Sequence, residues 1–295
     1  MKWWQDVKYK FRMANVVERL IAINVAIFIL FYLVIAIGFL FHVPADSLLE
    51  ILSFPKDVNS FLYKPWSIIT YAFLHSGIWH ILSNMLILYF SGTYFLTYFS
   101  SKKLLSLYFL GAIAGALVFM LSYNVFPAFK TIGNSYLIGA SAAVMAILVG
   151  IATHIPNMRI RLMFLGSLKF WWIAAFFVII DIVQIPLNNS GGHLAHLGGA
   201  LLGYLYVSQL ARGLDIGKPF ESVVEAFGSF FSKSKKSKLR TVHRKHKAFN
   251  SKPNNKGNDY QQKIDAILDK ISKSGYDSLT KSEKDFLFKA GKNNE

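Results

Sequence analysis

Long apolar runs separated by short polar segments dominate the first 211 residues of the chain. A membrane-spanning helix needs about 20 mostly apolar residues, and six runs meet or approach that length. The second run is long enough to hold an entry segment followed by a helix. This pattern predicts an all-α fold, a polytopic membrane helix bundle. The predicted spans are residues 20–41, 68–99, 104–123, 138–153, 168–187 and 193–210.

The segments between the runs differ in length. Residues 42–66 form a long connection that contains three prolines, whereas residues 188–192 form a tight turn. Residues 1–19 are charged and amphipathic, and we expect them to be a cytoplasmic N-terminus. The first run is too long for a signal peptide and lacks a small-residue cleavage site, so it predicts a retained span.

Composition supports a membrane protein and narrows its chemistry. Hydrophobic residues make up 54% of the chain, with 26 phenylalanines, above the roughly 45–50% apolar content of soluble domains. Mean hydropathy is +0.38. The chain has no cysteine, which excludes disulfides, thiol catalysis and cysteine metal sites.

The net charge of +16 is distributed unevenly, and 19 of the 32 Lys and Arg residues lie beyond residue 211. Cytoplasmic loops carry an excess of Lys and Arg. These basic residues are concentrated in residues 1–19, 102–103, 159–169 and the tail. The opposite loops carry only Lys56, Lys64 and Lys130. We therefore expect a multi-pass protein of the plasma (inner) membrane with both termini cytoplasmic. Spans two, four and six then begin at the outer side.

The polar tail has two parts. Residues 212–258 predict a basic disordered linker attracted to anionic lipid, and no aromatic pattern or fold signal supports nucleic-acid binding. Residues 259–295 predict a helical hairpin, with Gly275 as a stop and a capping box from Thr280 to Glu283. Such a hairpin is too small to fold robustly alone. We expect it to dock on a partner, a second copy or the membrane surface.

Ser141 stands among glycine and alanine near the start of the fourth span. By itself such a serine is most often bonded back to a carbonyl one turn earlier. Gly199 and Gly203 in the sixth span permit close backbone approach. A close crossing of spans four and six would bring Ser141 within hydrogen-bond reach of His196.

His196 is the candidate base for a serine nucleophile. The sequence offers no acidic residue near it, so we expect a Ser-His dyad rather than a triad. Asp181 is the only acidic residue within the six predicted spans. An aspartyl protease needs two carboxylates and is thus excluded, and we expect Asp181 to be a buried, hydrogen-bonded group with no assigned partner.

His80 and Asn84 are four residues apart and project from one helix face. Both can donate hydrogen bonds to an oxyanion, although they could equally hold the bundle together. We expect His75 to support that region. His193 and His196 have a spacing seen in metal sites, but there is no HExxH motif and no carboxylate near the histidines in sequence. We therefore expect no metal and no cofactor.

Three motifs occur in one order: His75-Ser-Gly-Ile-Trp-His80-Ile-Leu-Ser-Asn84, Gly139-Ala-Ser141, and Ala195-His196-Leu-Gly-Gly199. This set resembles that of rhomboid intramembrane serine proteases, of the bacterial type with six transmembrane helices. The resemblance implies a six-helix rhomboid membrane domain over residues 20–211. It implies Ser141 as nucleophile, His196 as general base, and an oxyanion hole from His80, Asn84 and the Ser141 backbone N–H. It also implies that residues 42–66 insert beside the bundle.

The chain departs from the family pattern at several positions. Ala142 follows the serine where glycine is usual, and Met145 replaces a tyrosine that often stacks on the histidine. Met is adaptable, so we expect Met145 to pack against His196. Trp66-Ser67 stands where a Trp-Arg pair is often found, which affects the anchoring of the long loop rather than the chemistry.

The function predicted from these residues is intramembrane serine endopeptidase activity on membrane proteins, near the outer ends of their transmembrane segments. The first alternative is a catalytically inactive rhomboid-like protein that binds membrane clients. A transporter is the second, but we see no internal repeat of the kind expected. Nothing in the sequence indicates an oligomeric state.

Overall fold

A computed structural model of the protein describes residues 2–43, 46–162, 166–222 and 258–292. The chain forms two compact units, Met1–Ser234 and Lys235–Glu295. The helices of the first unit are α1 (Lys2–Met13), α2 (Val16–Leu40), α3 (Asp46–Leu52), α4 (Val58–Tyr63), α5 (Ser67–Thr70), α6 (Ile78–Tyr98), α7 (Ser101–Val125), α8 (Ser141–His154), α9 (Phe170–Gln184) and α10 (Ser190–Ala211). Its strands are β1 (Phe54–Pro55), β2 (Tyr136–Leu137), β3 (Arg159–Leu162) and β4 (Gly166–Lys169).

Helices α2 and α6 to α10 lie where the six spans were predicted, so the polytopic helical bundle is confirmed. By length and hydropathy alone, α2 and α7 could each cross a membrane. The pair Ser67–Phe73 and Ile78–Tyr98, which is bent by 96°, would be a third crossing if it forms one span. This bend is the predicted entry segment before the second helix. Helices α8 and α9 are shorter, with 14 and 15 residues.

Helix α8 lies at the centre of the bundle and packs against α6, α7, α9 and α10. Small residues on its neighbours make this possible. A Cβ added to Gly111 or Gly115 of α7 would lie 2.5 Å from Ala146 Cβ or 2.4 Å from Ala142 Cβ. Close approach of helix backbones is the main packing device open to helices in lipid. The buried core is therefore built around the helix that begins at Ser141.

The long connection after α2 is tied to the loop that precedes α8. Strands β1 and β2 pair antiparallel, with Phe54 opposite Leu137. The indole N–H of Trp66 donates to the carbonyl of Ile51 at 3.0 Å. This bond joins the end of the long connection to its middle. The amide in the apolar part of α2 faces inward, because Asn24 is fully buried and donates to Tyr108 Oη of α7 at 3.3 Å. The predicted insertion of residues 42–66 beside the bundle stays a prediction.

Part of the predicted linker contacts α7. Asp215 forms an ion pair with Lys103 at the start of α7, and Lys103 holds the pKa of that carboxyl below its ordinary value despite partial desolvation. The ring of Phe220 packs on Phe109 at 6.0 Å. Residues 212–222 are thus part of the membrane unit, and the predicted domain bounds stay predictions. The rest of that linker, residues 223–257, lies outside the described residues.

The second unit contains the predicted hairpin, α11 (Asn258–Ser274) and α12 (Lys281–Lys292). Gly275 ends α11 in a left-handed conformation with φ of 76°, which glycine adopts at little cost. At the start of α12, the Thr280 N–H donates to Glu283 Oε2 at 2.7 Å, as the capping box predicts. Lys270 of α11 pairs with the same carboxylate at 2.9 Å.

Candidate active site

Ser141 is the first residue of α8, a position whose backbone N–H has no acceptor within the helix. Its Oγ lies 2.6 Å from Nε2 of His196. Two buried serines of the bundle behave differently. The Oγ atoms of Ser91 and Ser122 donate to the carbonyls four residues earlier, at 2.7 and 2.6 Å. Ser141 therefore bonds across helices rather than back to its own helix.

The contact between Ser141 and His196 results from a close crossing of α8 and α10. A Cβ on Gly199 would lie 2.0 Å from the carbonyl oxygen of Ala142, and one on Gly203 would lie 2.2 Å from that of Ala146. No side chain fits at these distances. The two glycines lie on the His196 side of α10, so the predicted crossing and its consequence are both confirmed.

The structure corrects the expectation that no acidic residue lies near His196. Asp181 of α9 is 5% exposed, and its Oδ1 lies 2.8 Å from Nδ1 of His196. The same oxygen lies 2.8 Å from Nδ1 of His193. The predicted Ser-His dyad is therefore accompanied by a carboxylate. Hydrogen bonds therefore link Ser141 to His196 and His196 to Asp181.

A sequence signal for this carboxylate existed. Asp181 lies three residues before α9 ends at Gln184, and His193 and His196 lie three and six residues after α10 begins at Ser190. In an antiparallel helix pair joined by a short turn, residues equidistant from the turn are neighbours. Sequence reasoning looked for an acidic residue adjacent in sequence and so missed one adjacent across the turn.

Asp181, His193 and His196 also offer ligand atoms that lie within 4.8 Å of one another, which makes them the metal-capable group of the described residues. The short distances favour hydrogen bonds. Ligands of tetrahedral zinc lie about 3.3 Å apart, given Zn–N distances near 2.05 Å, whereas Oδ1 lies 2.8 Å from each Nδ1. The expectation of no metal stays a prediction.

His80 faces the nucleophile from α6. The Ser76 backbone N–H donates to its Nδ1 at 3.3 Å, so the hydrogen of the neutral ring is carried by Nε2. A Cβ on Gly139 would lie 2.9 Å from that Nε2 and 3.4 Å from Ser141 Oγ. Gly139 has φ of 125°, which side chains rarely tolerate. The glycine thus leaves room for a donor beside the serine.

Three further predicted site residues are buried around this centre. Asn84 donates from Nδ2 to the carbonyl of His80 at 2.8 Å, which uses one of its two amide hydrogens. His75 is buried and packs edge-on against His80, with ring centroids 5.1 Å apart. Met145 is buried on α8, one turn after Ser141. Its predicted contact with His196 and the oxyanion role of Asn84 stay predictions.

The loop that delivers Ser141 is fixed by contacts with other parts of the chain. The Gly139 N–H donates to the carbonyl of Tyr71 at 3.0 Å. Tyr136 of β2 donates its hydroxyl hydrogen to Glu50, and that bond, with some burial, raises the pKa of Tyr136 to about 12. Tyr136 therefore remains a neutral donor at physiological pH. The position of the serine depends on several independent contacts.

Comparison with known proteins agrees with this geometry. The rhomboid domain family matches residues 63–213, which is just over half of the chain. A family of unknown function (DUF6576) matches residues 249–291, the part that holds the hairpin.

Among curated proteins, the chain is similar to mitochondrial rhomboids of eukaryotes. It is 33% identical to RHOMBOID-like protein 12, mitochondrial, of Arabidopsis thaliana, covering 50% of this chain and 47% of that protein. It is 30% identical to Rhomboid protein 1, mitochondrial, of Saccharomyces cerevisiae, covering 76% and 60%. It is 28% identical to the human Presenilin-associated rhomboid-like protein, mitochondrial, covering 70% and 50%.

The chain thus spans about half the length of these curated relatives, or somewhat more. The family match covers every motif residue described above, from His75 to Gly199. The helical membrane bundle and the site geometry agree with the family match. The chain belongs to the rhomboid family.

Proposed function

We propose that the protein is an intramembrane serine endopeptidase with Ser141 as nucleophile and His196 as general base. The observation that carries the proposal is the 2.6 Å contact between Ser141 Oγ and His196 Nε2 inside the bundle. A serine hydroxyl is a weak nucleophile until a base takes its proton. The buried Ser91 and Ser122, by contrast, donate to carbonyls of their own helices.

The reaction follows from these positions. His196 Nε2 takes the hydroxyl proton while Ser141 Oγ bonds to the carbonyl carbon of the substrate. The carbonyl oxygen becomes an oxyanion, which the Ser141 backbone N–H and the Nε2–H of His80 stabilise, with Asn84 as a further donor. The amide C–N bond then breaks, and the proton on His196 passes to the leaving nitrogen. Water then hydrolyses the acyl-enzyme. His196 Nε2 takes a proton from the water as its oxygen bonds to the acyl carbon, and that proton passes to Ser141 Oγ as the serine leaves.

The substrate class follows from the location of the site. Peptide bonds inside a transmembrane helix are protected, since each backbone group is already hydrogen-bonded. Ser141 lies at the start of α8, near one end of the bundle, where water can reach it. The substrates are membrane proteins cut near the outer ends of their spans, where the helix unwinds most easily.

The orientation rests on the charge distribution. Both termini lie on the membrane face that carries the basic loops, which in a plasma membrane is the cytoplasmic face, and the basic tail contacts anionic lipid there. The three relatives are named as mitochondrial, whereas the sequence prediction was the plasma (inner) membrane. Fractionation of cells that express a tagged chain decides between the two membranes.

The test is cleavage of a type I membrane reporter in liposomes by the purified protein and by Ser141→Ala. We expect the variant to lose at least about 10³-fold in kcat/KM. The matched control is Ser91→Ala, which removes a buried serine hydroxyl that bonds to its own helix. The control should retain wild-type cleavage.

Each outcome has a defined meaning. Equal cleavage by the wild type and Ser141→Ala would contradict the assignment of the nucleophile. A folded wild type that binds a panel of reporters without cutting any of them would favour the alternative, a rhomboid-like protein that holds membrane clients.

A further inference from the structure

Asp181 is positioned to act on the reaction through His196. Helix α9 has three buried residues among its 15, and Asp181 is one of them. Most of α9 therefore faces away from the bundle, while this carboxylate faces into it. On α10, His193 and His196 are three residues apart and share one helix face, so a single carboxylate from α9 reaches both rings.

The hydrogen bonds to Asp181 define the state of both histidines. An ionised carboxylate only accepts hydrogen bonds, so each Nδ1 that lies 2.8 Å from Oδ1 carries a hydrogen. A neutral His196 with its hydrogen on Nδ1 has a lone pair on Nε2, the atom that lies 2.6 Å from Ser141 Oγ. The opposite tautomer would present an N–H to the serine and could not take its proton.

We propose that Asp181 is a positioning residue that completes a Ser141–His196–Asp181 chain, an inference that rests on the proposed function. It holds His196 in the tautomer that accepts the serine proton, and it stabilises the imidazolium that forms during that transfer. Asp181 itself takes no proton. The sequence motifs pointed to a dyad, so this role distinguishes the chain from the pattern that its motifs resemble.

His193 is a second donor to the same oxygen and supplies the matched control. In the proposed chain, Asp181 acts on Ser141 through His196 alone, and its hydrogen bond to His193 plays no part in the reaction. In the competing explanation, Asp181 only ties α9 to α10 through His193. Substituting Asp181 and His193 separately distinguishes these two roles.

The experiment measures the rate at which a fluorophosphonate probe labels Ser141 in the full chain, because this readout requires no natural substrate. Asp181→Asn keeps the size of the side chain and removes its charge. We expect labelling to slow by up to about 10⁴-fold, the loss seen when the orienting carboxylate of a serine protease is neutralised. With the membrane reporter, kcat should fall while KM stays within about threefold, and the melting temperature in detergent should stay close to that of the wild type.

Two further variants sharpen the test. Asp181→Glu keeps the carboxylate and should restore part of the labelling rate. His193→Gln leaves the contact between His196 and Asp181 intact and should label within about threefold of the wild-type rate.

Several results would overturn the inference. Wild-type labelling rates in Asp181→Asn would do so, as would equal losses in Asp181→Asn and His193→Gln with a lowered melting temperature. Stoichiometric zinc in the purified protein that disappears in Asp181→Asn would make the cluster a metal site instead. If the wild type shows no labelling that depends on Ser141, the proposed function fails first and this inference fails with it.

Discussion

Helices α2 and α8 of the same bundle are both apolar, but they differ in length and in how much of each is buried. The best stretch of α2 has a mean hydropathy of 2.9, yet 17% of its residues are buried inside the bundle. Helix α8 is too short for the same test, yet ten of its 14 residues are buried. The helix that is most easily recognised as a membrane span is mostly exposed at the protein surface, and the helix that carries the nucleophile is surrounded by protein.

The difference has a physical cause. Lipid tails are as apolar as leucine, so hydropathy reports contact with lipid rather than contact with protein. Packing in the bundle depends on small residues that let backbones approach, and alanine and glycine contribute little to hydropathy. The composition of α8, rich in alanine, follows from its central position. A polar group such as Ser141 is tolerated there because its partners are other helices.

The largest effect is expected where α8 meets α10. Gly199→Ala places a Cβ 2.0 Å from the carbonyl oxygen of Ala142, so the helices must separate. We expect the free energy of unfolding to fall by about 2–3 kcal/mol, and cleavage to be lost because His196, one turn away, moves from Ser141. Reversible unfolding in mixed micelles measures the first effect, and reporter cleavage measures the second.

The control for this prediction is Leu201→Ala on the same helix, where the side chain is 59% exposed. It should change the free energy of unfolding by less than about 0.5 kcal/mol. A Gly199→Ala variant as stable and active as the wild type would mean that the close crossing does not position the site.

A smaller effect is expected in α2, where Asn24 is the inward polar group. Its Nδ2 donates to Leu20 O at 2.9 Å and to Tyr108 Oη at 3.3 Å. Asn24→Leu removes the bond between helices, and such bonds in membranes contribute about 0.6 kcal/mol on average and at most about 1.7. We expect a loss within that range, measured by the same unfolding assay. Ile29→Val, at an exposed position of α2, should show no change, and equal losses in both variants would contradict a specific role for Asn24.

The smallest effect is expected in the hairpin. It should depend on pH, because the contact that is removed is made by a charged carboxylate. Hydrogen bonds from the Thr280 backbone and from Lys270 lower the pKa of Glu283 from 4.5 to about 2. A lowered folded-state pKa means that the carboxylate stabilises the hairpin fully above about pH 4.5. That contribution is lost as the pH falls from 4.5 towards 2.

Amide hydrogen exchange in the full chain measures this effect. Glu283→Gln should exchange faster than the wild type in α11 and α12 at pH 6, and the difference should shrink at pH 3. The control is Asp269→Asn, since Asp269 lies 3.9 Å from Lys273 in a fully solvated pair. A pH-independent difference for Glu283→Gln would contradict the role of its charge.

Much of this architecture could be predicted from the sequence, because the signals are local. Six apolar runs, the stop at Gly275 and the capping box at Thr280 each depend on neighbouring residues only. The ordered motifs containing His80, Ser141 and His196 indicated which side chains would meet, and the glycines of α10 indicated how.

Other features were settled only by the tertiary structure, even where the sequence held a weak signal. Asp181 joins His193 and His196 only because of the rotation and register of α9 against α10, which apolar composition does not fix. Residues 212–222 belong to the membrane unit because Asp215 meets Lys103 from a distant part of the chain. Periodicity and propensity act over a few residues along the chain, whereas these contacts depend on the relative rotation and spacing of helices. The sequence by itself therefore determined which helices form and which motif residues they carry, and the packing of those helices decided that a carboxylate stands behind the histidine.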